Sequence, residues 1–195
     1  MLLANIGYDL QLLSKGRFIM GLGSQIKPHI EKRFSMPWSS PANRMREMIQ
    51  AIKSIWECWE DGTQLNFQGE FYSHTLMTPL FNPGKHEYGL PSIYLAGVGP
   101  LMTSVAAEVA DGLLVHPFHS VKSLQAITLP AVDKGLNKSK NKNFKISIGV
   151  MVAAADDQNE LDQAINGLRM QLGFYGSTPA YNCLLYTSPS PRDSR

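Results

Sequence analysis

Between residues 92 and 116 the chain runs from an apolar stretch (92–98) through a glycine turn (Gly97, Gly99, Pro100) and a short amphipathic segment (101–110). It then passes Asp111-Gly112 into a second apolar stretch that ends at His116. A strand that turns through glycine directly into a helix leaves backbone N–H groups unpaired at the positive end of the helix dipole. Such a turn can cradle a phosphate. Pro100 suits the first helical position, where its missing N–H costs nothing, and Gly99 lets a ligand approach the backbone. The same turn also joins strands to helices in sheets that bind nothing there, so the turn alone leaves both readings open.

The rest of the chain repeats the alternation. Leu2, Leu3, Ile6, Leu10 and Leu13 have helical spacing that closes at Gly16, and residues 17–22 form a short apolar strand ending in Gly21-Leu22-Gly23-Ser24. A polar loop containing prolines (25–41) leads to a helix whose apolar face is Met45, Met48, Ile49, Ile52, Ile55, Trp56 and Trp59, ended by Asp61-Gly62. Residues 65–72 alternate around Gly69 and predict a small hairpin. Further signals follow for a helix at 120–134 interrupted near Pro130, a strand at 145–154 and an amphipathic helix at 159–172.

Four strands separated by helices imply parallel βα units, in an open doubly wound sheet or in part of an eight-stranded barrel. Gly21-Leu22-Gly23-Ser24-Gln25-Ile26 begins like a dinucleotide fingerprint, but Ile26 stands where the third glycine belongs and a loop follows instead of a helix.

Composition narrows the function classes. With 195 residues, 44% hydrophobic, 17% charged and a net charge of +2, the chain has apolar material for one ordinary core. Its basic residues are scattered, apart from a lysine-rich stretch at 134–145 that reads as a solvated loop, so nucleic acid is not an expected partner. No run is long and apolar enough to span a membrane, and no metal-ligand spacing occurs. Cys58, in a helical segment, reads as a small core hydrophobe in a reducing compartment.

The stretch from Cys183 to Asp193 resembles a translated transposase sequencing adapter. The expected division is therefore a folded unit at 1–182 and a non-native, disordered tail at 183–195. Met1 falls directly into a helical pattern, which fits an internal piece of a longer protein.

The residues Asp9-Leu10-Gln11-Leu12-Leu13-Ser14-Lys15-Gly16-Arg17-Phe18, Gly21-Leu22-Gly23-Ser24, Tyr94-Leu95-Ala96-Gly97-Val98-Gly99-Pro100 and Ala110-Asp111-Gly112 resemble the luciferase-like monooxygenase superfamily. Ser24-Gln25, His29-Ile30-Glu31, Met36-Pro37-Trp38-Ser39, Leu76-Met77-Thr78-Pro79 and residues 174–181 resemble its branch dependent on the deazaflavin coenzyme F420. The resemblance implies an α/β fold, a partial (β/α)8 TIM barrel holding about the middle four βα units with a small β-hairpin insertion.

It further implies a cytoplasmic flavin- or F420-dependent oxidoreductase, F420 being the expected coenzyme and FMN the alternative. Such an enzyme transfers a hydride, or uses O2, on a small organic substrate, with homodimers usual among relatives; a truncated piece is expected to be inactive. Gly97, Val98, Gly99, Pro100 and Leu101 would hold the coenzyme, and Gly23, Ser24 and Gln25 would line the pocket near its ring. His116 and His29 are the candidate proton-handling groups, since imidazole titrates near neutrality. A loop histidine in solvent and a pocket-lining histidine are the competing readings of the two.

Gln25 or Ile26 stands where some sugar-phosphate dehydrogenases of the superfamily carry an acidic residue, which argues against sugar-phosphate oxidation. Lys27, Lys32, Arg33 and Trp38 stand on the same loop, where a solvated basic surface is the default. The rival functions are a non-catalytic flavin- or F420-binding protein and a non-redox barrel enzyme acting on a phosphorylated metabolite.

Overall fold

The computed structural model describes residues 1–139, 141 and 143–184. Four strands, β1 (Ile19–Leu22), β4 (Ser92–Gly97), β5 (Gly112–Val115) and β6 (Lys145–Ile148), form one parallel sheet in the order β1-β4-β5-β6. Between β1 and β4 the chain makes helix α2 (Pro41–Asp61) and the antiparallel hairpin β2 (Phe67–Gln68) and β3 (Ser73–His74). Helix α1 (Leu2–Leu13) precedes β1, α3 (Pro100–Val109) joins β4 to β5, and α4 (Val121–Ser123) and α5 (Leu129–Leu136) lie between β5 and β6. Helix α6 (Gln158–Gly176) and a 3-10 turn (Pro179–Leu184) follow. This is the α/β arc of a partial (β/α)8 barrel, with the hairpin as its insertion.

In-register parallel partners point to the same face of a sheet, so the pairings Leu22↔Leu95↔Leu113 and Gly21↔Tyr94↔Gly112 define two faces. Met20, Ile93, Leu95, Leu113 and Val115 join Ile49, Ile52, Ile55 and Trp56 of α2 and Val105 and Ala106 of α3 in the core. The opposite face carries Gly21, Tyr94, Ala96, Gly112 and Leu114. Gly112 is dictated by packing, because a Cβ there would sit 2.7 Å from the Tyr94 ring.

Three local contacts fix the helices. The Trp56 indole donates to the Ala4 carbonyl (2.9 Å), and a Cβ on Gly7 would meet that indole at 2.9 Å, so glycine lets α1 settle on α2. Arg46 of α2 grips the Glu108 carboxylate of α3 through Nε (3.2 Å) and Nη2 (3.1 Å). Glu47 accepts from the backbone N–H groups of Glu70 (3.0 Å), Phe71 (2.6 Å) and Tyr72 (2.5 Å), which pins the hairpin turn to α2.

Several boundaries differ from those read in the sequence. Helix α1 closes in a Schellman arrangement, Lys15 N–H to Leu12 O and Gly16 N–H to Gln11 O, so Lys15 (φ 55°) takes the first left-handed position and Gly16 (φ 80°) the next. Pro130 does not end its helix. It lacks the N–H that would bond Ala126, and the chain absorbs this as a π-helical turn at Leu124–Thr128 running directly into α5.

The strand expected at 145–154 stops at Ile148. It pairs on one side only, with the four residues of β5, and Val150 and Val152 find no partner there and stay exposed. Helix α6 is longer than expected and has no fully buried residue; Asp157 caps its start by accepting from Glu160 N–H (2.9 Å). Residues 183 and 184, at the start of the expected tail, close the 3-10 turn, where Leu184 is 7% exposed; residues 185–195 lie outside the described residues.

Candidate functional site

All four strands of the sheet are parallel, so their C-terminal ends share one rim. Continuing the pairing Leu22↔Leu95 by two residues brings Ser24 level with Gly97 and Val115, one residue short of His116. The rim therefore gathers the β1–α2 loop, the β4–α3 turn and the β5–α4 loop, which carry every candidate residue named from the sequence. His29 and His116 belong to loops that follow strands two places apart in the sheet, β1 and β5, whose axes lie on the order of 10 Å apart at the usual strand spacing.

The β4–α3 turn has the expected form. Gly99 is extended (φ −88°, ψ 165°), Pro100 opens α3, and no side chain caps the helix. A Cβ on Gly99 would meet nothing within 4 Å, so the backbone there faces open space. Gly97 is different: a Cβ would meet Leu113 Cδ1 at 3.0 Å and Thr103 Oγ1 at 3.1 Å, so this glycine lets α3 close onto the strand. Pro100 and Leu101 border a cavity of about 420 Å³ between α3 and α5, beside Arg46, Lys134 and Lys138.

Gly23 and Ser24 border a different cavity, about 240 Å³, closed by Ile30, Trp38, Ser39 and the first turns of α2. Gln25 sits in the left-handed region (φ 59°), and so do Ser35 (φ 54°) and Ser40 (φ 35°) of the same loop. Non-glycine residues in that region cost about 1–3 kcal/mol each and persist where the surroundings hold them. His29 lies in the loop's π-helical turn (His29–Arg33), and its buried Nδ1 has no hydrogen-bond partner among the described residues.

His116 lies one residue beyond β5. Its Nδ1 accepts from Phe118 N–H (3.1 Å), which leaves the proton of the neutral ring on Nε2. Tyr181 stacks on it at 4.4 Å and Tyr175 meets it edge-on at 4.7 Å. Burial, with a smaller contribution from the nearby His119, holds its pKa below the ordinary histidine value. At neutral pH it is a neutral ring that can donate one hydrogen bond from Nε2.

A lowered histidine pKa means that the unfolded chain binds the proton more readily. This contribution to stability is present above the ordinary value near 6.5 and is lost as pH falls from there through the folded-state value. His74, also lowered by burial, adds to the trend with the same sign. Melting temperatures measured from pH 7.5 to 5 should fall with pH, and His116→Phe should flatten the slope; an unchanged slope would mean that His116 does not titrate in its stack.

The rim holds features that the sequence reading passed over. Arg44 of α2 borders the smaller cavity, and Tyr175 and Tyr181 enclose His116. Arg44 could have been noticed as a basic residue directly before Met45 at the apolar edge of its helix. Nothing local links Tyr181 to a histidine 65 positions earlier. Among the described residues no group of three or more His, Cys, Asp or Glu side chains could hold a metal ion, and no helix is long and apolar enough to cross a membrane.

Comparison with known proteins adds to this geometry. The sequence profile of the family described as "Luciferase-like monooxygenase" matches residues 1–190. An uncharacterized protein of Mycobacterium tuberculosis is 51% identical over 187 residues, covering 95% of this chain and 55% of the relative. A 5,10-methylenetetrahydromethanopterin reductase of Archaeoglobus fulgidus is 30% identical over 169 residues, 86% of this chain and 47% of the relative. Among solved structures, an F420-dependent secondary alcohol dehydrogenase in complex with an F420-acetone adduct superposes with a TM-score of 0.70 at 16% identity, covering 99% of this chain and 58% of that one. The chain thus spans about half the length of the curated relatives it matches.

Proposed function

The chain belongs to the luciferase-like monooxygenase family, and on that footing we propose that it serves an oxidoreductase using coenzyme F420, with FMN as the second candidate, on a small organic substrate. The F420-dependent enzyme it superposes on supports the choice of coenzyme. The observation that carries the reading is the inner face of the sheet near the rim. There Gly23 and Ala96 offer almost no side chain, bounded on the same face by Leu114 and the Tyr94 ring, and the helix that starts at the same rim has its backbone facing open space. That pairing of a small-residue strip with bare amides fits a planar ring bearing a phosphate.

When bound, F420 gives or accepts a hydride at its ring carbon. The protein's part is positioning and proton handling. Gly99 and Leu101 offer backbone N–H groups to an anionic tail, and Gly23 and Ala96 leave room for the edge of the ring. His116, with its proton on Nε2, donates a hydrogen bond to an oxygen of the substrate. His29 is a second candidate for proton transfer, from the opposite side of the rim. The free, buried thiol of Cys58 supports a reducing, cytoplasmic setting.

The test is an absorbance titration with F420 and with FMN, followed by turnover measurements. F420 is expected to saturate with a spectral shift, and His116→Asn is expected to lower turnover about tenfold, the loss of one hydrogen bond, with binding unchanged. Binding of a sugar phosphate with neither coenzyme bound would replace this reading with a non-redox barrel enzyme. Coenzyme binding with no effect from either histidine would favour a carrier without turnover.

A further inference from the structure

The cavity of about 240 Å³ at the end of β1 combines an apolar wall with a cation that lacks a counterion. Ile30, Trp38, Met45 and Met48 supply the wall. Arg44 borders it, donating from Nη2 to Ser39 Oγ (2.6 Å) and lying over the Phe71 ring at 4.5 Å. No carboxylate among the described residues comes within ion-pair distance of Arg44, whereas Arg46, two residues further along α2 and turned toward α3, is satisfied by Glu108. Stacking on Phe71 and bonding to Ser39 hold the guanidinium plane in place and leave several of its N–H groups free. A fixed, half-buried, unneutralised guanidinium beside apolar surface suits a carboxylate on an otherwise apolar body.

The loop that closes the cavity is itself held under backbone strain. Ser35 and Ser40 flank Trp38 and Ser39 and both are left-handed, as is Gln25 at the cavity's β1 side. Nearby, the buried Nδ1 of His29 has no partner among the described residues, although the Ile30 beside it borders the cavity. Strain and an unmet polar atom around one concavity are the pattern of a binding site.

We propose that this cavity is the substrate subsite and that it selects a small amphipathic carboxylate, an aryl or short alkyl acid, with the carboxylate on Arg44 and the apolar body against Trp38, Met45 and Met48. The volume lies just under the range of about 300–1,000 Å³ usual for small-molecule pockets, which limits the body to one ring or a short chain. This assignment deepens the proposed oxidoreductase function and rests on it for the word substrate; the binding itself does not.

Trp38 reports the cavity directly, because Trp56 and Trp59 are buried in the core at 0% and 2% exposure. The experiment is a tryptophan-fluorescence titration of the protein, without coenzyme, using 4-phenylbutyrate and its uncharged amide as probes. The acid is expected to change the fluorescence saturably and to bind at least tenfold tighter than the amide. Arg44→Gln should weaken the acid about tenfold and leave the amide unchanged. Met48→Phe, which fills the cavity and keeps the charge, should weaken both, and the acid should give no signal in Trp38→Phe.

Equal binding of acid and amide, an Arg44→Gln variant that binds the acid as tightly as the original, or no binding of either probe would overturn the proposal. Acid binding without F420 or FMN binding would sink the oxidoreductase reading alone. Coenzyme binding with no dependence on Arg44 would sink the subsite alone.

Discussion

Gly135→Ala is expected to destabilise the fold by about 3 kcal/mol, a fall of roughly 6–12 °C in Tm for a chain of this size. Gly135 is where α5 crosses α3. A Cβ there would overlap the Ser104 carbonyl oxygen, lie 2.6 Å from Ala107 Cβ and 3.1 Å from Glu108 N. Two of the three obstacles are backbone, which no rotamer change can clear, so the helices must separate. Helix propensity works the other way, since alanine favours a helix by about 1 kcal/mol over glycine, and overpacking wins only because the contact is so close.

Gly167→Ala is the control. That glycine lies in α6 with nothing within 4 Å of a new Cβ, so the same change there should be neutral or stabilising by up to about 1 kcal/mol. Denaturant midpoints for the two variants test the claim, and equal effects would refute the account of α3–α5 packing.

Asp111→Ala is expected to cost about 2–3 kcal/mol. The Asp111 carboxylate accepts from the backbone N–H of Ile93 (2.8 Å), at the start of β4, and from Lys53 Nζ of α2 (3.0 Å). Its own N–H donates to Ile93 O (2.7 Å), and its carbonyl accepts from Lys145 N–H (3.1 Å), so one residue ties β4, β6 and α2 at the edge of the sheet away from the rim. The Lys53 pair is about one-third exposed and contributes little by itself. The cost arises chiefly at Ile93, which is fully buried and would be left with an unmatched donor. Asp111→Asn keeps an acceptor and should lose about half as much; if alanine and asparagine behaved alike, the lysine pair would be the dominant interaction instead.

The strand-turn-helix pattern around Gly99 and the long apolar face of α2 were legible in the sequence because they follow local periodicity, and both sit where the pattern puts them. The Ala110-Asp111-Gly112 string was visible only as a family signature. Its cause, a carboxylate clamp on one side and a tyrosine ring lying over Gly112 on the other, depends on partners 18 to 58 residues away. Strand β6 was overread because alternation of Ile146, Ile148, Val150 and Val152 specifies a propensity to extend, whereas the length of β5 decides how much is paired. Gly97 and Gly99 look equivalent as letters, yet one admits a helix and the other leaves the backbone open. Arg44 was hidden by its own helix, where a basic residue at the border of an apolar stripe ordinarily means only solvent.

Period-two alternation along β1, β4 and β5 assigns neighbouring residues to separate tasks. Met20, Leu22, Ile93, Leu95 and Leu113 hold the helices, while Gly21, Gly23 and Ala96, their immediate neighbours, shape the opposite surface. A lineage of such chains can therefore drift at every second position toward new ligands without eroding its thermodynamic margin. Adaptation and robustness are interleaved in the same few residues of strand, and neither has to wait for the other.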